Sequence, residues 1–126
     1  MKTTTVLLCV TFLSIAHTMT NAQKQTMYEE CVSETGVNEE IIENAMAGEF
    51  ADDPKFRLFL SCFAKKRGVL NDAGEIQKHT LRAELSSMIS DEALVEDIMA
   101  RCVVQSGTPE ETAFQISKCI HARKQS

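Results

Sequence analysis

Apolar residues recur every three or four positions along most of the chain beyond residue 23. This spacing places them on one face of an α-helix, as Phe56, Phe59 and Phe63 illustrate. No stretch alternates apolar and polar residues for long enough to predict a strand. We therefore predict an all-α fold, a compact bundle of six helices. Their expected ranges are 24–35, 38–47, 54–67, 77–88, 91–106 and 109–123.

Glycines and prolines mark the ends of these helices. The 5 glycines fall between the periodic segments, where helix C-caps and turns accept a residue with positive φ. Pro54 and Pro109 suit the first position of a helix, where the missing N–H has no consequence. Thr108 followed by Glu111 predicts a capping box, in which each side chain binds the backbone of the other residue.

The N-terminus has the pattern of a secretory signal peptide. An uncharged apolar run over residues 6–16 follows a lysine and is followed by a polar stretch that ends in Ala22. The run is shorter than the roughly 20 residues of a membrane-spanning helix. We assign residues 1–22 to the signal peptide and 23–126 to one secreted, extracellular domain; cleavage after Ala16 is the alternative.

The charge balance is acidic, with 18 Asp and Glu against 13 Lys and Arg. The one basic cluster, residues 65–67, ends a predicted helix, where cations complement the helix dipole. This balance argues against nucleic acid and anionic membranes as partners. Since no second apolar run is long enough to span a bilayer, we also expect no stable membrane insertion.

Four cysteines remain beyond the leader, and each lies within a predicted helix. They are Cys31, Cys62, Cys102 and Cys119, whereas Cys9 belongs to the leader. In an exported chain such cysteines indicate disulfides. Four cysteines allow three pairings, and their spacing does not choose among them. A zinc site usually pairs ligands two to four residues apart, which these are not, so we expect no metal and no cofactor.

The order of helices and cysteines resembles that of the insect odorant-binding proteins of the pheromone-binding and general odorant-binding class. Three segments carry the resemblance: residues 31–37 (CVSETGV), 52–68 (DDPKFRLFLSCFAKKRG) and 69–76 (VLNDAGEI). It extends over the whole chain beyond the leader. It implies a six-helix fold, stapled by disulfides, around an apolar cavity.

The chain departs from that family at two cysteines. Family members usually have six, and the second and fifth bond to each other; here Leu58 and Glu110 occupy those places. Because both partners are absent together, the chain resembles the four-cysteine "C-minus" subgroup. We expect a softer contact between the third and sixth helices and a more adaptable pocket. The resemblance implies the disulfides Cys31–Cys62 and Cys102–Cys119.

Apolar side chains provide the candidate ligand site. Their pattern alone fits a solid core better, but the family resemblance favours a cavity, which adaptable methionines and flat phenylalanines suit. The function implied is transport of one small hydrophobic ligand, such as an odorant, a pheromone or a fatty acid. The candidate lining residues are Met46, Phe50, Phe59, Leu60, Phe63, Val69, Leu70, Leu85, Met88, Met99, Phe114 and Ile120.

Polar residues give little sign of catalysis. No Gly-x-Ser-x-Gly or His-Glu-x-x-His motif occurs, so we expect no enzyme. His79, expected just before a helix, and His121 are interpreted as surface groups rather than pH switches. Because only seven residues follow Cys119, we expect no release of ligand by insertion of a long C-terminal tail. The Tyr28 hydroxyl either binds a ligand or reaches water.

Two further functional hypotheses remain. One is a non-olfactory carrier in haemolymph, saliva or reproductive secretion, and the other is a membrane-active helical protein of the saposin kind, in which the first cysteine pairs with the last. Delivery to a chemoreceptor and a weak homodimer are left open as partner relationships. The sequence does not identify the ligand or the tissue.

Overall fold

Six α-helices make up most of residues 20–125, the part of the chain that the computed structural model describes. Within this range the only β-type pairing is a single bridge between Leu70 and Ile76. None of these helices has the length and apolar character needed to cross a membrane. The helices are α1 (Asn21–Thr35), α2 (Glu39–Met46), α3 (Pro54–Lys66), α4 (Lys78–Met88), α5 (Glu92–Arg101) and α6 (Pro109–Lys124).

The predicted leader lies outside the described residues except for its last three, and so does Cys9. Helix α1 begins within those three residues. The Thr20 hydroxyl oxygen caps it by accepting from the Gln23 amide, and the Gln23 side chain accepts a hydrogen bond from the Thr20 amide, which completes a capping box. Cleavage after Ala22 would therefore remove the cap and the first two residues of α1.

Short polar side chains cap the N-termini of the later helices except α4. The Asp53 carboxylate accepts a hydrogen bond of 2.8 Å from the Phe56 amide, and Pro54 takes the first helical position as predicted. Thr108 likewise accepts from the Glu111 amide ahead of α6. The reciprocal half of the predicted capping box is absent, because the Glu111 carboxylate binds Arg57 and Gln115 instead.

Helix α5 is shorter than predicted and ends at Arg101 rather than at residue 106. Cys102 lies at its C-cap and is bonded to Cys119 of α6, so the chain leaves the helix where the disulfide holds it. Gln105 then binds a neighbouring loop: its Nε2 donates to the Gly74 carbonyl at 2.8 Å, and its Oε1 accepts from the Ile76 amide. The apolar periodicity continues past Arg101, but these tertiary contacts end the helix.

Two groups of buried side chains form the core. The aromatic cluster consists of Cys31, Val37, Ile42, Ala45, Phe56, Phe59 and Phe114, with Tyr28, Phe50 and Phe63 packed against it. The aliphatic cluster consists of Ala64, Val69, Leu70, Leu81, Leu85, Val95, Ile98, Cys102, Ala113 and Ile116. Helices α3 and α6 contribute to both, so they connect the two halves of the domain.

Each cluster contains one disulfide. Cys31–Cys62 joins α1 to α3 with a Cα–Cα distance of 5.8 Å, and Cys102–Cys119 joins the end of α5 to α6 with a Cα–Cα distance of 5.5 Å. These are the pairs that the family resemblance implies. The membrane-active alternative requires a disulfide between the first and the last of these four cysteines, and the structure does not have that pair.

Arg57 connects α3 to α6 beside the two positions that lack cysteines. Its guanidinium pairs with Asp52 at 3.0 Å and with Glu111, and it lies 3.9 Å from the centre of the Phe114 ring. The contact expected to be softer thus contains ion pairs and a cation–π contact. That the contact between α3 and α6 is softer than in six-cysteine family members stays a prediction.

Candidate ligand-binding cavity

A cavity of about 410 Å³ lies between the two core clusters. Its wall is mostly apolar and comes from α1, α2, α3, α4 and α6, together with the segments that precede and follow α3. A volume of a few hundred Å³ with such a lining is typical of sites for small apolar molecules.

Ten of the twelve candidate residues line this cavity: Met46, Phe50, Phe59, Leu60, Phe63, Val69, Leu70, Leu85, Met88 and Ile120. Met99 and Phe114 do not. Met99 belongs to α5, which contributes no lining residue, and it packs against the aliphatic cluster. Phe114 is buried between the rings of Phe50 and Phe56 and is covered by Arg57, so it supports the wall from behind.

Aromatic rings form one side of the cavity. The Tyr28 ring meets Phe59 edge-on at a centroid distance of 5.5 Å, and Phe59 lies 5.7 Å from Phe63. Such edge-on and tilted pairs have preferred geometries, which restrict how the rings can move. The Tyr28 hydroxyl is 3.4 Å from the Glu39 carboxylate. Burial is the main cause that raises the pKa of Tyr28, and the negative charge of this carboxylate raises it further. The hydroxyl thus already has a hydrogen-bond partner.

Two methionines lie where the cavity reaches the surface. Met46 at the end of α2 is 71% exposed and Met88 at the end of α4 is 53% exposed, yet both line the cavity. Unbranched methionine side chains change shape at low cost. We therefore expect these two residues to move when a ligand enters.

His121 belongs to the cavity wall, whereas His79 does not. The His121 ring is half-buried and lies 5.7 Å from Phe50. Gly48 packs against it with φ near +100°, and a Cβ added there would lie 3.2 Å from the imidazole Nε2. His79 is exposed in the first turn of α4 rather than before the helix. The interpretation of His121 as a plain surface group is therefore wrong, because its half-buried ring forms part of the cavity wall.

An ion pair interrupts the apolar lining. Arg67 and Glu84 both face the cavity and pair with each other, and their side chains are 21% and 14% exposed. The Arg67 guanidinium also lies over the Phe63 ring, 4.8 Å from its centre. The sequence offers little signal for this pair, because Arg67 ends a helix, where a cation complements the dipole whether or not a site is present.

The other lining residues that the sequence did not indicate are of two kinds. Apolar examples, such as Ile42 and Ala113, follow the helical periodicity but cannot be told from core by pattern alone. Polar examples are Ser117 and Lys124 of α6. Both border the cavity, although Ser117 is half-buried and Lys124 is exposed, and their position becomes clear only when α6 is packed against α3.

The described residues provide no catalytic or metal-binding arrangement in this wall. Ser117 and His121 lie one helical turn apart, but no hydrogen bond joins them and no carboxylate orients the imidazole. Donor atoms of Cys31, Glu34 and Cys62 approach one another within 4.8 Å. The two sulfurs, however, are bonded to each other and so offer no thiolate to a metal.

Known proteins with similar sequences and structures come from insects. The chain is 37% identical to the B1 protein of Tenebrio molitor over 91 residues, which is 72% of this chain and 70% of that protein. Its structure resembles the THP12 carrier protein from yellow meal worm, with a TM-score of 0.64, 29% identity and coverage of 73% of this chain and 85% of the other.

A second solved structure is similar over more of the chain. It is the fatty acid binding protein OBP56a from the oral disk of the blowfly Phormia regina, with a TM-score of 0.64 and 26% identity. The match covers 86% of this chain and 96% of the blowfly protein. These neighbours are carriers rather than enzymes, in agreement with the prediction from the sequence.

The model of the PBP/GOBP family matches residues 16–123, which is nearly the whole chain. Six helices, two disulfides in the expected pairs and an apolar cavity agree with that match. The chain therefore belongs to the PBP/GOBP family, with the fold of a small-ligand carrier and four cysteines among the residues that the structure describes.

Proposed function

We propose that this protein is a secreted carrier that encloses one small hydrophobic molecule and transports it through aqueous extracellular fluid. The observation that carries the proposal is the cavity of about 410 Å³ with its mostly apolar wall. A ligand bound there leaves water without needing a polar partner at each of its atoms. Affinity then depends mainly on the apolar area buried, at about 25 cal/mol per Å².

The ligand class is an odorant, a pheromone or a related lipid-like molecule. The names of the two similar structures, a carrier protein and a fatty acid binding protein, support a ligand of this kind. Transport outside cells is supported by the signal-peptide pattern of residues 1–22. If cleavage follows Ala22, N-terminal sequencing of the secreted protein will begin at Gln23.

A fluorescent naphthylamine that brightens in apolar surroundings tests the cavity. The wild-type protein should bind this dye with a dissociation constant in the micromolar range and release it when a long-chain alcohol is added. Across a series of unbranched alcohols, affinity should rise about fourfold per added CH₂, because each buried CH₂ contributes about 0.8 kcal/mol. The rise should stop once the cavity is full.

A matched pair of substitutions on α3 separates cavity binding from surface adsorption. Leu60 lines the cavity, whereas Leu58, two residues earlier, is 45% exposed and does not. Leu60→Trp should weaken dye binding at least tenfold by filling the cavity, and Leu58→Trp should leave it unchanged. Absence of dye binding to the wild type, or equal binding by both variants, would contradict the proposal.

The non-olfactory carrier is the second candidate, since the same cavity serves a ligand in haemolymph, saliva or reproductive secretion. Expression restricted to antennae or other sensory organs favours olfaction and delivery to a chemoreceptor. Expression in glands or fat body favours the other role. A weak homodimer is checked by sedimentation at several protein concentrations.

A further inference from the structure

Arg67 has a hydrogen-bond donor with no acceptor. Its Nη1 donates to the Glu84 carboxylate, but its Nε is buried and unpaired in the described structure. The side chain forms part of the cavity wall, and its guanidinium is held over Phe63, which lines the cavity as well. A buried donor without an acceptor is unfavourable, and buried polar groups in proteins nearly always have a partner.

A ligand in the cavity can supply the missing acceptor. The hydrogen bond requires the Arg67 side chain to turn toward the cavity that it already lines. One oxygen on an otherwise apolar molecule is sufficient, because the unpaired nitrogen carries a single N–H. A hydroxyl group can in addition donate to Glu84, which lines the same cavity.

The charge of the pair decides which oxygen fits. Glu84 is only 14% exposed and already neutralises Arg67. A ligand carboxylate brought to the same guanidinium would place a second negative charge beside Glu84 in surroundings of low dielectric, where like charges repel strongly. A neutral carbonyl or hydroxyl oxygen meets no such repulsion.

We propose that the Arg67–Glu84 pair is the polar subsite of the cavity and selects apolar ligands that carry a neutral oxygen acceptor, a ketone, an aldehyde or an alcohol, over hydrocarbons and over carboxylates. The proposal rests on the carrier function, because it needs a ligand inside the cavity. Lys124 and His121 also line the cavity, and a carboxylate bound beside them would not depend on Arg67.

Displacement of the naphthylamine by four ligands with the same number of carbons tests the subsite. An unbranched ketone and alcohol should bind the wild type about tenfold more tightly than the alkane, as expected for one well-formed buried hydrogen bond. The carboxylate should bind more weakly than the ketone. In the double variant Arg67→Met with Glu84→Met, the ketone should lose its advantage over the alkane.

The matched control is Arg82→Met with Glu96→Met, which removes an ion pair between α4 and α5 that does not face this cavity. This control variant should keep the tenfold preference for the ketone over the alkane. Equal binding of ketone and alkane by the wild type, or a preference for the ketone that survives in the double Met variant, would overturn the subsite. So would a carboxylate that binds the wild type more tightly than the ketone does and loses this advantage in the double Met variant. Absence of naphthylamine binding to the wild type would overturn the carrier function as well.

Glu84→Gln provides a test that keeps Arg67 in place. The amide preserves the size of the side chain but removes the negative charge, so the Arg67 guanidinium becomes an uncompensated cation. The carboxylate should then gain about tenfold in affinity relative to the ketone, since a charged hydrogen bond replaces repulsion. An unchanged ratio of carboxylate to ketone affinity would overturn the role assigned to Glu84.

Discussion

The aromatic and aliphatic clusters bound the same cavity but hold their helices in different ways. In the aromatic cluster, rings meet edge-on or tilted at centroid distances of 5.5 to 6.3 Å. In the aliphatic cluster, branched side chains fill space without a preferred mutual orientation. Ring pairs contribute about 0.5–1.5 kcal/mol beyond the area that they bury. The aromatic side should therefore be the more rigid wall of the cavity and the aliphatic side the more adaptable one.

The disulfides extend this difference. Cys31–Cys62 closes a loop with a sequence separation of 31 residues, whereas Cys102–Cys119 has a separation of 17. The shorter loop joins α6 to α5, the helix that contributes no residue to the cavity wall. The disulfide of the aromatic cluster thus joins two helices that both line the cavity. The disulfide of the aliphatic cluster joins a lining helix to a helix outside the cavity wall.

Truncation of one core side chain in each cluster should cause the largest loss of stability. Phe56 and Leu70 are both 1% exposed. Phe56→Ala should lower the free energy of unfolding by about 4 kcal/mol and Leu70→Ala by about 3 kcal/mol, because the ring loses more buried surface and its directional contacts. Urea unfolding followed by circular dichroism measures both. A cost for Leu70→Ala equal to or above that for Phe56→Ala would contradict the comparison.

Removal of either disulfide should have a smaller effect than Phe56→Ala. Cys31→Ala with Cys62→Ala should lower the free energy of unfolding by about 3.5 kcal/mol, and Cys102→Ala with Cys119→Ala by about 3 kcal/mol. The difference arises because the longer loop gains more conformational entropy in the unfolded chain. Only the first variant should weaken naphthylamine binding clearly, since its bridge joins two lining helices. Equal weakening in both variants would break the comparison.

A third disulfide, between α3 and α6, should reduce the difference in rigidity between the aromatic and aliphatic sides of the cavity. Arg57 and Glu111 already bring α3 and α6 together beside residues 58 and 110. Leu58→Cys with Glu110→Cys should form a disulfide and raise the free energy of unfolding by about 2 kcal/mol, with a narrower range of accepted ligand sizes. The reduced double variant is the control. If the oxidised variant gains stability but accepts the same ligands, the predicted softness of the pocket is wrong.

The smallest effect concerns the pH dependence of the Arg57 contact. A hydrogen bond from Gln115 and the guanidinium of Arg57 lower the pKa of Glu111. A carboxylate with a lowered folded-state pKa stabilises the fold above its unfolded pKa, and this contribution disappears as the pH falls through the folded value. Stability should thus fall below about pH 4.5.

Glu111→Gln should flatten that part of the pH profile measured by urea unfolding. Glu110→Gln is the matched control, because Glu110 is the neighbouring acid and forms no ion pair in the described residues. An identical pH profile for Glu111→Gln and the wild type would show that the Arg57 contact contributes nothing measurable.

Most helices could be predicted because their information is local. Apolar periodicity and the caps Asp53–Pro54 and Thr108–Pro109 locate α3 and α6 to within a residue or two. The end of α5 could not be predicted from the same signals. Cys102 and Gln105 leave the helix to bind partners far along the chain, and no local pattern reveals which partners those are.

The candidate site divides in the same way. Apolar lining residues such as Phe59 and Leu85 follow from the periodicity together with the family resemblance. Arg67 and Glu84 do not, because a charged residue at a helix end or on a helix face is usually solvated. Only the tertiary structure, which brings the end of α3 beside α4, makes them neighbours on the cavity wall.

The sequence by itself determined the helical class, the number of helices and, through the resemblance, the disulfide pairs, since periodicity, caps and cysteine order are written along the chain. Tertiary structure decided which apolar residues line a cavity, and it brought Arg57 to Glu111 and Arg67 to Glu84 across separations of 54 and 17 residues. The physical reason is that burial and charge pairing depend on which helix faces meet. That arrangement is a property of the packed bundle and not of any one segment.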